Sequence, residues 1–216
     1  MTRNESRAGS GRPRSSAVDE AILTAAFALF IEHGVEGASI ERIARRAGVA
    51  KTSIYRRWPS REALLAQAIE AFRNSVGPTA EMVDRASPAE FITMLFDVPQ
   101  IAVRPEIRNM IARLIGSLAE SPLLLQVYRD TYFRPRREAL IRALRRMQDA
   151  ALLRLDADIQ LLADTLVGAL LYRLLFGDDS VETLRAYLSH LLRHLGFALA
   201  SPNWDEVRTE APTGDR

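Results

Sequence analysis

Cysteine is absent from all 216 residues, which excludes disulfides, thiolate metal sites and cysteine nucleophiles. Its absence also suits a reducing cytoplasm. Runs that alternate β-branched and polar residues are missing too, and Ala, Leu, Arg and Glu dominate, so strands are not expected. No long uninterrupted apolar run occurs. Leu161 to Phe176 comes nearest, but Asp164 and Arg173 break it, which fits a buried helix better than a membrane span. The arginines near the N-terminus are not followed by an apolar stretch, so no secretory leader is expected. Nucleophile elbows, phosphate loops and metalloprotease motifs are lacking, and nothing suggests a cofactor or an enzyme.

What remains is an ordinary globular composition, 48% hydrophobic and 26% charged, with an uneven charge distribution. Residues 1–62 hold 11 Lys/Arg against 7 Asp/Glu, whereas the remainder holds 18 against 20. A basic N-terminal segment on a near-neutral body suits a phosphate-binding module attached to something else. Residues 1–15 carry four arginines and almost nothing apolar, and read as a disordered basic arm. That arm could track a phosphate backbone or minor groove, or serve only as a solubilising tail.

Punctuation along the chain predicts about nine helices and an all-α fold. Ser16, with Asp19 three residues on, resembles a capping box that opens a helix with Ile22, Ala26, Leu29 and Phe30 on one face, and Gly34 stops it. Ser39 caps a second helix ending before Gly48, a third runs from about Ala50 to Arg57, and Ser60 caps a fourth that ends at Gly77-Pro78. Ser87-Pro88 and Ser121-Pro122 are further starts; Pro99 is expected to end one helix, Pro105 to begin the next, and Pro135 to kink or break a long one. Asp156 and Asp179 read as caps of the last two helices, 158–176 and 180–199.

The segment from Ser39 to Trp58 has the logic of a helix-turn-helix. Ile40, Ile43 and Ala44 face inward, with Ala44 small where two helices cross steeply. Gly48 supplies an unhindered turn, and Val49 and Ile54 pin the next helix. Lys51, Thr52, Ser53, Tyr55 and Arg56 are left for outward faces, a polar, cationic surface suited to a major groove.

Taken with the preceding Phe30-Ile-Glu-His-Gly34 and the following Trp58-Pro59-Ser60-Arg61-Glu62-x-Leu64, residues 16–76 resemble the DNA-binding domain of the tetracycline-repressor (TetR) family. The resemblance implies a three-helix DNA-binding domain over 16–76, a larger helical ligand-binding and dimerisation domain over 77–200, and a polar tail over 201–216. It also implies a homodimeric cytoplasmic regulator, a double-stranded operator with two half-sites, and a small-molecule effector. Carried over by position, Ser39 caps its helix and touches a phosphate; Lys51, Thr52 and Ser53 approach base edges; Tyr55 and Arg61 meet phosphates. Arg57 stands where histidine is common and would add a cation near the backbone, and Trp58 stands where phenylalanine is common and keeps a packing role. Arg42 and Arg56 are further candidates, and Arg45 and Arg46 suit either phosphate contact or a solvated face.

In the C-terminal part, Phe72, Met94, Phe96, Met110, Tyr128, Tyr132, Phe133 and Tyr172 suit either a ligand cavity or ordinary core. Arg134, Arg136 and Arg137 suit an anionic ligand or a solvated face. By resemblance, the last two helices form a four-helix bundle with their two-fold mates, through Leu166, Ala169, Tyr172, Leu184, Tyr187, Leu188, Leu191 and Leu195. This would set two recognition helices about 34–36 Å apart. His190 and His194 are four apart, but no carboxylate lies suitably near in sequence; hydrogen bonding in the interface is expected rather than a metal. An architectural DNA-binding protein with no ligand, and an all-α enzyme, are the alternatives; the latter lacks any cluster of acid, base or metal ligands.

Overall fold

Small side chains accepting backbone hydrogen bonds set most of the helix starts. In the computed structural model, which describes residues 12–177 and 180–198, Ser39 accepts from Arg42 N, Ser60 from Ala63 N, Ser121 from Leu124 N and Ser180 from Thr183 N. Each satisfies a donor the helix itself cannot. Ser87 and Glu90 form the complete reciprocal box expected of them.

The described residues form α1 (Arg12–Gly37), α2 (Ile40–Ala47), α3 (Lys51–Tyr55), α4 (Arg61–Val76), α5 (Ala80–Arg85), α6 (Pro88–Ala102), α7 (Pro105–Glu120), α8 (Pro122–Tyr128), a π turn (Arg129–Phe133), α9 (Arg134–Asp149), α10 (Ile159–Phe176) and α11 (Val181–His194). Among them there is no strand; Leu153 and Phe197 form one isolated antiparallel bridge. The fold is all-α, as expected.

Several expected boundaries are corrected. α1 begins at Arg12, so Ser16 lies inside it rather than capping it, and Arg12 to Ser15 are helical; the rest of the expected arm lies outside the described residues. Gly34 does interrupt α1, with φ 69°. Pro99 does not end α6: it lies buried within it, and the helix runs one more turn, closed by Val103 N donating to Pro99 O at 3.2 Å. Asp156 pairs with Arg154 at 2.6 Å, and Asp158 is the true cap of α10. Asp179 and the tail from 199 lie outside the described residues. α11 stops at His194 because Gly196, at φ 85°, turns the chain back so that Phe197 N reaches Leu192 O.

α5 was not foreseen. It buries no side chain of its own, and its last carbonyls are held from α9, where Arg146 donates to Val83 O and Ala86 O. Pro135 neither breaks nor ends its helix. The π turn just before it widens the backbone, with Arg134 N donating five residues back to Arg129 O, and absorbs a residue that cannot donate.

Two cores organise these helices. The first gathers Phe30, Ile43, Ile54, Leu64, Leu65 and Ile69 and also takes in Ile107, Met110, Leu124 and Tyr128 from α7 and α8. The second joins α6, α9, α10 and α11 through residues such as Phe91, Leu144, Met147, Leu162 and Leu188.

Gly48 closes α2 at φ 68°, and a Cβ there would meet no atom within 4 Å. Gly48→Ala should therefore cost about 1–2 kcal/mol through backbone strain alone, and Gly48→Asn less. Urea unfolding of the three proteins checks this; equal midpoints for Ala and Gly would refute it.

Candidate nucleic-acid interface

α3 is held by its inner side. Ile54 is fully buried and Trp58 is 5% exposed, with its Nε1–H donating to Gln67 Oε1 at 2.6 Å across the turn into α4. Below it, Ile40, Ile43 and Ala44 of α2 are buried, and Val49 N and Gly48 N close that helix on Ala44 O and Arg45 O. With those anchors in place, Lys51, Thr52, Tyr55 and Arg56 are exposed on the opposite side, while Ser53 is half-buried. Tyr55 keeps 58% of its surface accessible, which a packing aromatic would not.

The cations divide into two groups. Arg42, Arg45 and Arg56 enter no ion pair among the described residues, and Arg42 is half-buried. Others are engaged. Lys51 Nζ donates to Glu41 Oε1 at 2.6 Å, bridging α3 to α2, and this bond holds the Glu41 carboxyl below its ordinary range. Arg46 clamps Glu32 of α1 with two bonds of 2.6 and 2.8 Å. Arg61, in the first turn of α4, donates to Glu62 Oε1 at 3.1 Å and to Val35 O at 3.4 Å. Sequence reading missed Glu41, because its meeting with Lys51 depends on how α2 and α3 cross rather than on local spacing.

Arg57 requires a correction. Its side chain is only 17% exposed, it donates to Ser53 O at 2.8 Å, and it pairs with Asp19 of α1. It is a strut between α3 and α1 rather than a free cation. Ser39 uses its Oγ to cap α2, and its hydroxyl also hydrogen-bonds the Glu41 carboxyl, so the side chain is engaged at the start of its own helix.

A cavity of about 630 Å³ lies between α4, α6, α7, α9 and α10. Met94, Met110, Tyr128 and Phe133 line it, as does Arg136. Four other candidates do not. Phe72 stacks on Phe27 at 4.2 Å, Tyr132 packs on the first core, Phe96 packs on the second, and Tyr172 is 64% exposed beside Phe176. Arg134 pairs with Asp130 at 3.2 Å, and Arg137 with Asp164 at 2.8 Å.

The expected interface set is also revised. Leu166, Leu184 and Leu188 are buried within the protomer and cannot face a partner. Along α10 the exposed large apolar side chains are Leu161, Val167, Tyr172 and Phe176; Leu161, Tyr172 and Phe176 with Gly168 make one stripe. Ala169, Tyr187, Leu191 and Leu195 are half-buried, and His190 and His194 are exposed. Among the described residues, α10 is the one helix long and apolar enough to cross a membrane, by length and composition alone. Arg173 lies over the Tyr187 ring at 4.9 Å and ties α10 to α11. Among the described residues no group of His, Asp and Glu could hold a metal.

Arg57→Met should lower stability by about 1–2 kcal/mol, read from the thermal midpoint. An unchanged midpoint would restore Arg57 to the solvent-facing cations.

The chain resembles known proteins over most of its length. The profile described as "Bacterial regulatory proteins, tetR family" matches residues 22–68, and "Tetracyclin repressor-like, C-terminal domain" matches residues 89–195. It is 30% identical over 173 residues to the uncharacterized HTH-type transcriptional regulator YdeS of Bacillus subtilis (strain 168), covering 80% of this chain and 85% of that one. Among solved structures, the TetR family transcription regulator SCO0332 superposes with a TM-score of 0.59 at 27% identity, over 85% of this chain and 99% of that one. SmeT, solved as a complex with triclosan, superposes with a TM-score of 0.61 at 24% identity, over 82% and 91%. With the helix-turn-helix geometry above, these matches establish that the chain belongs to the TetR family of DNA-binding transcriptional regulators.

Proposed function

We propose that this regulator is a cytoplasmic homodimeric repressor that a small-molecule effector releases from a two-half-site operator. The observation that carries this reading is the shared position of α7. One side of α7, through Ile107, Met110, Ile111 and Leu114, lines the cavity. From the same helix, Arg113 donates to Ile31 O at 3.0 Å and to Glu32 O at 3.4 Å, at the end of α1 where Gly34 breaks it. A ligand that shifts α7 therefore acts on the helix against which α2 and α4 pack. Such a ligand changes the operator equilibrium only by its differential affinity for the two arrangements. A fold neighbour, SmeT, was solved as a complex with triclosan, which is consistent with a small-molecule effector.

On the DNA side, Lys51, Thr52 and Ser53 are assigned to base edges, and Ser39, Tyr55 and Arg61 to phosphates, with Arg42 and Arg56 beside them. Insertion of α3 would exchange the Lys51–Glu41 pair for a contact on DNA. The dimer is assigned to the exposed stripe of α10 together with α11, because an apolar face of that kind calls for cover and a two-fold can supply it from an identical copy. The domain division near residue 76 belongs to the same proposal, although the first core continues past it into α7 and α8.

Lys51→Ala and Tyr55→Ala should each weaken binding to palindromic DNA from around the chain's own gene by about tenfold or more, at about 1–3 kcal/mol per lost contact. Fluorescence anisotropy at fixed salt measures it; native affinity in both variants would remove the contact assignment. Tyr172→Arg, on a side chain already exposed in the protomer, should leave the helical content intact and halve the mass seen in sedimentation. A Tyr172→Arg protein that remains dimeric would move the interface elsewhere.

A further inference from the structure

The cavity's polar lining is cationic. Among the described residues, the polar side chains that border it besides Tyr128 are four arginines, Arg73, Arg129, Arg136 and Arg137, and no carboxylate lines it. Three of these are already matched: Arg129 with Asp130 at 3.1 Å, Arg136 with Glu70 at 2.7 Å, and Arg137 with Asp164 at 2.8 Å. Arg73 is half-buried in the last turn of α4 and, among the described residues, enters no ion pair. Its neighbour Asn74 accepts from Arg136, so α9 reaches the last turn of α4, and Arg73 and Arg136 both line the cavity. The rest of the wall is aliphatic and thioether surface, including Met94, Leu95, Met110 and Leu170.

We propose that the effector is an amphipathic anion, with its anionic head on Arg73 and its apolar body along Met94, Leu95, Met110 and Leu170; this rests on the cavity being the effector site. A planar guanidinium that lacks a partner offers paired donors matched to a carboxylate. A neutral apolar ligand covering Arg73 would strip water from those donors and return nothing. An organic cation would meet in Arg73 a like charge that no carboxylate offsets, the other three arginines being paired. Flexible methionines on the wall accommodate an alkyl chain without one required shape.

Isothermal titration of the full chain with dodecanoate, dodecanol and dodecyltrimethylammonium, each below its micelle concentration, tests the proposal. Dodecanoate should bind at least about tenfold more tightly than dodecanol, the order expected of a charge-assisted contact, and the ammonium should bind weakest. Arg73→Gln should bring dodecanoate down to the level of dodecanol, and Arg73→Lys should recover part of the difference. Equal binding of acid and alcohol to the native chain, no binding of either, or a carboxylate preference that survives Arg73→Gln would each overturn it. Operator release is read separately by anisotropy. If dodecanoate binds through Arg73 while the DNA complex persists, the anion site stands and ligand-released repression fails.

Discussion

Helix α4 is constrained on almost every side, and much else follows from how it is held. Leu64, Leu65, Ala66, Ala68 and Ile69 are all buried, so the helix presents apolar surface around most of its circumference. It packs on α1 in one direction and on α8 in the other. Protein interiors pack at crystal-like density, so an element enclosed in this way transmits a displacement rather than absorbing it. The same helix starts at Arg61, three residues after the helix-turn-helix ends at Trp58, and reaches the cavity with Arg73 and Val76.

The polar counterpart of this constraint is the Glu70–Arg136 pair. Both side chains are about nine-tenths buried, and Arg136 also donates to Pro78 O and to Asn74. Such a pair contributes little net stability over an apolar replacement, but leaving one member alone typically costs about 3–5 kcal/mol. Its value is positional, since it allows one register of α9 against α4. Glu70 Oε2 is buried without a hydrogen-bond partner, so the pair is not saturated. Arg136 reaches the cavity wall from this position.

Features written in local chemistry were legible in the sequence. The serine caps at 39, 60, 87 and 121, the left-handed turn at Gly48 and the inward set Ile40, Ile43, Ala44 and Ile54 each depend on neighbours within a few residues. Features that depend on distant partners were not. Arg57 meets Asp19 across 38 positions, α5 is held by an arginine 60 residues away, and Pro99 survives inside a helix through tertiary packing. The apolar positions Leu166, Leu184 and Leu188 could be read as buried, but not as buried within one protomer rather than between two. Among the cavity candidates, residue type suited eight, yet only the packing of α1 against α4 shows that Phe72 belongs to Phe27 instead. Arg73 gave no local signal, because what distinguishes it is the lack of a carboxylate opposite it.

The Lys51–Glu41 pair alters how salt enters the DNA equilibrium. A solvated lysine that docks on a phosphate releases a condensed cation from the nucleic acid, and that release steepens the dependence on ionic strength. Lys51 arrives with a carboxylate already beside it. If it leaves for DNA as proposed, the already exposed Glu41 carboxylate would lose its partner and draw a cation from solution, offsetting up to about one of those released. The only lysine in the chain would thus contribute to base recognition while adding almost nothing to the salt-sensitive hold on arbitrary DNA. Discrimination between sites, rather than overall grip, is what this pairing favours.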